Sequence, residues 1–430
     1  MARLRARVAA HLAQAQHRNA YCLLLNNVLG AATGLLFLLI FTRVLGLAPE
    51  EVGFGYAIVV VGTMVGVVAK GGLDTAILRF TPGIGHEAGR RLFRFAVAVG
   101  AAAVALLAVA LAAASHVVQL SLDGTAVGWL LVVAIALLLV VTWLQDARFL
   151  AGGDARPSLK RNLVLSGARL LAPLPIVALA MPRPVALSTA LALALSALAG
   201  SILARRLPRD PALAPPPRPA AFLATSLRNA ASSAAEFLPG LLLVPLVLAV
   251  AGAAAAAFFA MAWTAASLLF LASSALSRSA LAEIVRKPDT MAHALRRGAL
   301  QHAVLILPAA VLAAVLAPEW LSFFGPSYAA AGQSTLVLLA VSIVLVAPGN
   351  LYLAVLRARD SPVALAAFPA AMIVTLLLLA PPLLQVWGLP GVAVAWMVAN
   401  APLGLVGAWR LRSIAARRFP AATSTAGGAP

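Results

Sequence analysis

The sequence predicts an all-α, polytopic membrane protein of about twelve transmembrane helices in two six-helix lobes, with both termini cytoplasmic. Three observations predict it. The chain is 63% hydrophobic and 10% charged, with a mean hydropathy of +0.99 over 430 residues, more apolar surface than a soluble core can absorb. Apolar segments of roughly 20 residues, the length that crosses a hydrocarbon layer of about 30 Å, recur throughout. Lys and Arg fall on alternate connections between those segments, as they do when successive connections lie on opposite sides of a bilayer.

Helix one, near 20–46, follows an Arg-bearing segment (1–19), and its apolar run is too long for a signal-peptide core, so it reads as uncleaved. Helix two, near 52–79, carries Gly62, Gly66, Lys70 and Asp74 at steps of four. Helix three, near 93–116, begins past Arg90 and Arg91 and has no polar side chain from Phe95 to Ala114. Helices four (125–148) and five (159–181) flank a connection holding Arg148, Arg156, Lys160 and Arg161, and helix six (184–204) closes on Arg205-Arg206. Between Arg205 and Ala221 stand six prolines, so 206–221 reads as an extended cytoplasmic linker between lobes 20–205 and 222–411.

In the second lobe, helices seven (222–251) and eight (254–283) meet at Ala251-Gly252, and the basic stretch Arg278–Arg297 leads to helix nine, 298–317. The longest outside loop, Pro318–Ala330, precedes helix ten (331–356); Arg357 and Arg359 precede helix eleven (362–386), and Gly388 precedes helix twelve, 389–411. The Pro-, Ala- and Ser-containing tail, 412–430, reads as disordered. An even helix count per lobe keeps both lobes in one orientation, as in parallel repeats. An offset of about 206 residues aligns Leu45-Gly46 with Ala251-Gly252, a faint echo of such a repeat.

Of the 32 Lys and Arg, 28 lie on one face; Arg43 and Arg183 end helices on the other, while Lys70 and Arg169 lie within helices. The positive-inside rule makes the rich face cytoplasmic and the protein multi-pass in the plasma (inner) membrane. The net charge of +19 is spread over every inside loop, without aromatic interleaving or a helix-turn-helix or zinc pattern, so it reads as topology and attraction to anionic lipid rather than nucleic-acid binding. One cysteine, Cys22, excludes intramolecular disulfides. There is no P-loop and no HExxH pattern, and six scattered histidines make no metal set, so no catalytic residue or metal ligand is assigned and the chain does not read as an enzyme. Glu50-Glu51 lies in a short outside turn and reads as solvated acid, and the short outside loops leave no room for a glycosyltransferase, polymerase or ligase site.

Polar side chains facing lipid are costly, so polar stripes must face protein or water. Helix one places Asn19, Cys22, Asn26, Gly30 and Thr33 on one face; helix seven carries Thr225, Asn229, Glu236 and Gly240, and helix eight Thr264, Ser267, Ser274 and Arg278. Helices one, two, seven and eight therefore read as cavity lining, and three, six and nine as lipid-facing supports. Lys70 and Asp74, one turn apart, read either as a structural pair or as substrate and ion contacts. Glu236 is either protonated, bonded to Arg228 or Asn229, or used functionally. Gly30, Gly34 and the glycines of helix two read as close-packing positions.

From Phe41 to Tyr56 the chain reads Phe-Thr-Arg-Val-Leu-Gly-Leu-Ala-Pro-Glu-Glu-Val-Gly-Phe-Gly-Tyr, followed by Gly72-Leu-Asp-Thr-Ala-Ile-Leu-Arg79. This resembles the opening signature of the polysaccharide-biosynthesis flippases of the multidrug/oligosaccharidyl-lipid/polysaccharide (MOP) exporter superfamily. Phe324-Gly-Pro-Ser-Tyr-Ala329 and Gly388-Leu-Pro-Gly-Val-Ala-Val-Ala395 are similar to later pieces of that family. The resemblance implies two six-helix lobes around a cavity lined by helices one, two, seven and eight, and export of polyprenyl-diphosphate-linked oligosaccharide to the outer leaflet by alternating access. On it, Lys70, Arg79, Arg228 and Arg278 are candidate diphosphate contacts and Asn26 and Asn229 candidate sugar contacts. Asp74 and Glu236 are candidates for coupling H+ or Na+, and Arg43 for bracing an outer gate. No other cofactor is expected. Implied partners are the lipid-linked oligosaccharide, membrane lipids, and glycosyltransferases and a polymerase of the same pathway. Trp263 is the main aromatic available for sugar stacking, and the second lobe keeps no counterpart of Arg43 or Lys70. An ion-coupled multidrug exporter of the same superfamily is the first alternative, and a membrane glycosyltransferase, polymerase or ligase the second.

Overall fold

The computed structural model describes residues 15–118, 126–207, 215–286, 291–359 and 361–416, and within them every regular element is helical. Among the described residues, nine helices are long and apolar enough to cross a membrane, and the pair Pro326–Val341 and Ile343–Ala358, bent by 42°, makes a tenth. Two further rods complete the predicted twelve. The apolar helix Phe237–Val285 is two rods meeting at Gly252, whose φ of 83° and ψ of 178° no helical residue adopts. Helix five is Arg156–Leu171 continued by Pro173–Ala178. The break there follows from Pro173, which has no N–H to offer the carbonyl four residues earlier. The chain is a multi-pass membrane protein.

Proline and glycine set most of the ends. Helix two runs Pro49–Lys70 from a proline at its first turn, stops at the left-handed pair Gly71-Gly72 (φ 46° and 76°) and resumes over Leu73–Phe80. Helix six is Pro184–Ala204, and helix seven starts at Pro219, inside the expected linker. Helix one is Ala15–Leu39 extended by a π-helical turn, Ile40–Val44, and helix nine, beginning at Met291, contains a second such turn, His302–Ile306.

Several expected boundaries are corrected. Helix three starts at His86, so Arg90, Arg91 and Arg94 ride on its first turns rather than in a connection. Helix twelve, Leu389–Ala416, takes in the first residues of the expected tail. Ala317–Ser322 and the start of helix ten at Pro326 occupy most of the expected outside loop. The reason is common to all: hydropathy marks where a chain crosses hydrocarbon, whereas a helix continues as long as its backbone hydrogen bonds do. Residues 1–14, 208–214 and 417–430, which include most of the N-terminal segment, linker and tail, lie outside the described residues.

Helix two is the central strut. It packs along helices four and eight and also against three, six and seven, with Val52, Ala57, Ile58 and Val61 fully buried. Its glycines explain the fit. A Cβ at Gly53 would lie 1.9 Å from the Ala253 carbonyl oxygen of helix eight, and one at Gly62 would lie 2.9 Å from Ile135 of helix four. The Gly62/Gly66 face is thus the close-packing face its glycines suggested, set against helix four. Gly30 and Gly34 of helix one reverse the expectation, since no neighbour lies within 4 Å of the Cβ either would carry.

Helix six is likewise a core element rather than a lipid-facing support. Buried residues make up 56% of its apolar stretch against 22% for each of helices three and nine, and Ser188, Thr189 and Ser196 are all inside. An Ala-rich helix reads the same in either role, because Ala suits lipid and close contact equally well.

Candidate functional site: a polar chamber within the first six helices

Helix five is the least apolar of the predicted crossings, and its residues 161, 165 and 169 recur at steps of four, so Arg161, Leu165 and Arg169 form one stripe. That stripe faces helix four, where Trp143 and Asp146 share a face, and helix one, where Asn26 stands. Together with Asn27, Thr142, Asn162 and Leu193 they line a chamber of about 330 Å³, open on one side, between helices one, four, five and six.

Its chemistry is polar and net cationic. The Arg161 guanidinium, 3% exposed, donates to Asp146 Oδ2 at 2.7 Å, to Asn162 Oδ1 at 2.7 Å and to Ser196 Oγ at 3.1 Å. Gln145 braces helix four on helix six, donating to the Ala197 carbonyl at 2.9 Å and the Ser201 hydroxyl at 3.2 Å. Asp146 is thus engaged by Arg161, while Arg169 on the same wall has neither ion pair nor hydrogen bond among the described residues. Asn26 Oδ1, Asp146 Oδ1, Gln145 Oε1 and Arg161 Nε are buried without a hydrogen-bond partner among the described residues. Orphaned polar atoms around an open polar space are groups that water or a ligand would satisfy.

The sequence-predicted residues are placed in three groups. Asn26 lines the chamber. Lys70 and Asp74 stand next to its wall: they are 2.7 Å apart across the Gly71-Gly72 break, and the Lys70 ammonium lies 5.4 Å from the ring centre of Trp143. Asp74 Oδ1 also accepts the Thr75 N–H at 2.9 Å. The others lie apart from the chamber. Arg79, Arg228 and Arg278 are exposed on helices two, seven and eight; Arg79 stacks over Phe80 and Arg228 Nε donates to the Ala224 carbonyl at 3.2 Å. Asn229 donates to the Thr225 carbonyl at 2.8 Å, facing the Gly72 turn. The Glu236 side chain lies outside the described residues, although its backbone is within helix seven.

Among the described residues, helices two, seven and eight meet at both ends of helix two. At the Arg-poor end helix two meets helix eight at Gly53 and Ala253, and Arg43 donates from Nε to the Phe323 carbonyl at 2.6 Å and from its terminal nitrogen to the Ser322 carbonyl. At the Arg-rich end Ser226 of helix seven donates to the Gly71 carbonyl at 2.6 Å, and Phe222 packs between Phe80 and Phe95. Helix two is thus held to helix eight near one end and to helix seven near the other. Helix one stands off, packing on helix five and tied through Asn19 to Gly153 and Ala155 in the turn before it.

Trp263 packs edge-on against Trp396 at 4.8 Å and against Phe259 and Phe270 among the later helices. The residues missed from sequence are Asp146, Arg161 and Arg169. Arg161 reads as one more positive residue of an inside connection until helix five is seen to begin at Arg156. The available signal was the step-of-four recurrence of Arg161 and Arg169 within one helix.

A second buried polar cluster joins helices eight, nine and ten. His302, 4% exposed, lies 2.8 Å from the Gly298 carbonyl through Nδ1 and 3.0 Å from Ser273 Oγ through Nε2, and Asn350 donates to the same hydroxyl at 3.0 Å. If Nδ1 carries the proton, it donates to Gly298 and Nε2 accepts from Ser273, so each group named has a partner. Among the described residues no group of three or more His, Cys, Asp or Glu could hold a metal ion.

No protein-family model and no curated protein matches the chain. Solved structures do. An inward-facing multidrug-resistance MATE transporter of the MOP superfamily superposes with a TM-score of 0.64 at 18% identity, over 90% of this chain and 95% of that one. The lipid II flippase MurJ, in an inward closed conformation, superposes with 0.65 at 12% identity, over 92% and 89%. An outward-facing MATE transporter gives 0.59 at 17%, over 93% and 96%. These likenesses establish the fold: the chain has the architecture shared by MATE transporters and a lipid-linked flippase.

Proposed function

We propose that the protein is a flippase that moves polyprenyl-diphosphate-linked oligosaccharide from the inner to the outer leaflet of the plasma membrane by alternating access, for cell-surface polysaccharide synthesis. The observation that carries this reading is the composition of the chamber inside a fold shared with a lipid II flippase: two arginines and three asparagines line it against one carboxylate, already engaged by Arg161. Glycan hydroxyls brought through hydrocarbon without partners would cost about 2–7 kcal/mol each, and amides and guanidinium groups supply such partners. A diphosphate is met by charge-assisted donors.

On this reading Arg79, Arg228 and Arg278, exposed at the Arg-rich ends of helices two, seven and eight, gather the diphosphate from the inner leaflet. Arg43 holds the outer gate shut through the carbonyls of Ser322 and Phe323. Asp74 and Glu236 are the candidates for H+ or Na+ coupling, and glycosyltransferases and a polymerase of the same pathway would supply and consume the lipid-linked glycan. The chain's own chemistry is binding and reorientation, not bond making.

The second reading, an ion-coupled multidrug exporter, draws on the MATE likenesses. The chamber's net positive charge disfavours it, since organic cations need an unpaired carboxylate or an aromatic box. Reconstitution decides between them. Proteoliposomes containing the protein should move a fluorescent lipid-linked oligosaccharide to the leaflet where a membrane-impermeant quencher reaches it, and should not extrude ethidium. Ethidium extrusion with no lipid movement would replace the first reading by the second.

A further inference from the structure

Arg169 is a charge that the described contacts leave unpaired. It lies in the crossing part of helix five, one turn before the Pro173 break, on the wall of the polar chamber, without an ion pair or hydrogen bond among the described residues. A guanidinium cannot shed its proton to escape that position. Charges retained inside a membrane mark a partner or a pathway. The other chamber arginine differs: Arg161 has Asp146, Asn162 and Ser196. No second carboxylate lines the space, so the chamber holds one uncompensated positive charge.

The residues around Arg169 carry further unpaired polar atoms: Asn26 Oδ1, Asp146 Oδ1 and Arg161 Nε are buried without a hydrogen-bond partner among the described residues, and Arg169 is the lining cation that no carboxylate meets. The chamber's volume of about 330 Å³ is room for roughly ten waters, or for one phosphate carrying a sugar. An amphiphilic cation would meet a like charge there, and a neutral sugar would leave Arg169 uncompensated.

We infer that the chamber between helices one, four, five and six is an anion subsite in which Arg169 binds the phosphate of the translocated lipid while Asn26 and Asn162 contact the adjoining sugar. This rests on the flippase reading for the source of the phosphate, but not for the anion site itself. A bilayer phospholipid offers the same phosphate chemistry, and the test separates the two.

Purified full-length protein in neutral detergent is titrated with inorganic pyrophosphate, farnesyl diphosphate or micellar phosphatidylglycerol at constant ionic strength, and the melting temperature is recorded. Both diphosphates should raise it. Arg169→Gln should weaken their apparent affinity by about tenfold or more, as expected for loss of a charged hydrogen-bond partner, whereas Arg169→Lys should keep part of it. Should Arg169→Gln not fold, Arg169→Lys and Asn26→Leu carry the comparison through their weaker but still specific losses. Equal diphosphate affinity in wild type and the variants overturns the subsite. An Arg169-dependent response to phosphatidylglycerol alone identifies a lipid-headgroup site and overturns the substrate assignment. In proteoliposomes Arg169→Gln should slow lipid movement. Loss of diphosphate binding with unchanged movement would remove the subsite from the transport route while leaving the flippase reading intact. Absence of movement in wild type with Arg169-dependent binding preserved would sink the flippase reading alone.

Discussion

Arg161 and Asp146 illustrate how a buried charge is held within an apolar bundle. Removing one member of a buried pair leaves the other desolvated and uncompensated, at about 3–5 kcal/mol. Arg161→Ala or Asp146→Ala should therefore lower the melting temperature in detergent markedly, and the double variant should lose less than the two single losses combined. Additive losses would show that the 2.7 Å contact contributes little. Lys70 and Asp74 have the same logic with a more exposed cation, 12% against 3% for Arg161, while both carboxylates are 26% exposed. Lys70→Met should slow lipid movement more than the Lys70→Met, Asp74→Asn double variant, because the double variant removes both charges. If the single and double variants are equally slow, Lys70 is needed for its own charge. The stripe of Asn26 was legible because a polar face on an apolar helix stands out. Arg169 was visible as an intramembrane charge, but its lack of a counter-ion depends on what helices one, four and six bring to it.

At the scale of elements, glycine decides geometry that hydropathy cannot express. Gly252 turns helix seven into helix eight with φ 83° and ψ 178°, a region essentially closed to other residues, although nothing lies within 4 Å of the Cβ it would carry. Gly252→Val should cost about 1–3 kcal/mol by strain alone, read as a lower melting temperature. At Gly53 the obstacle is the neighbour instead, the Ala253 carbonyl at 1.9 Å, so even Gly53→Ala must push helices two and eight apart. The existence and order of the helices could be read from the apolar runs, and helix six even to its ends. Breaks inside helices two and five needed the backbone, although Gly71-Gly72 and Pro173 marked them. Which glycines touch a neighbour was not legible: Gly30 and Gly62 look alike in sequence, and only Gly62 meets a partner helix.

At the scale of the whole molecule, helix two contacts helix eight near one end and helix seven near the other. Alternating access requires one set to open while the other holds. Arg43 spans 280 positions of sequence to reach Phe323, so it reports on one end without touching the other. Spin labels at Val44 and Phe323, in a Cys22→Ser background, should show a short distance in the protein as it stands. Adding Arg43→Ala should raise the population of a longer distance by a few-fold, the scale of losing exposed charge-assisted hydrogen bonds. An unchanged distribution would mean that Gly53 and Ala253 hold that end by themselves.

The sequence alone determined the all-helical class, the membrane setting, the helix order and the segregation of charge, because each follows from the local rule that apolar runs of fixed length cross hydrocarbon and cations stay out of it. Tertiary structure alone decided which polar face meets water and which meets a helix. It placed a polar chamber between helices one, four, five and six, of which helix one alone carried a stripe read as cavity lining. The physical reason is that a small or polar stripe reads identically whether it lines a cavity or admits a neighbouring backbone, and the choice is made by residues more than a hundred positions away, as Asp146 and Arg161 do for Asn26.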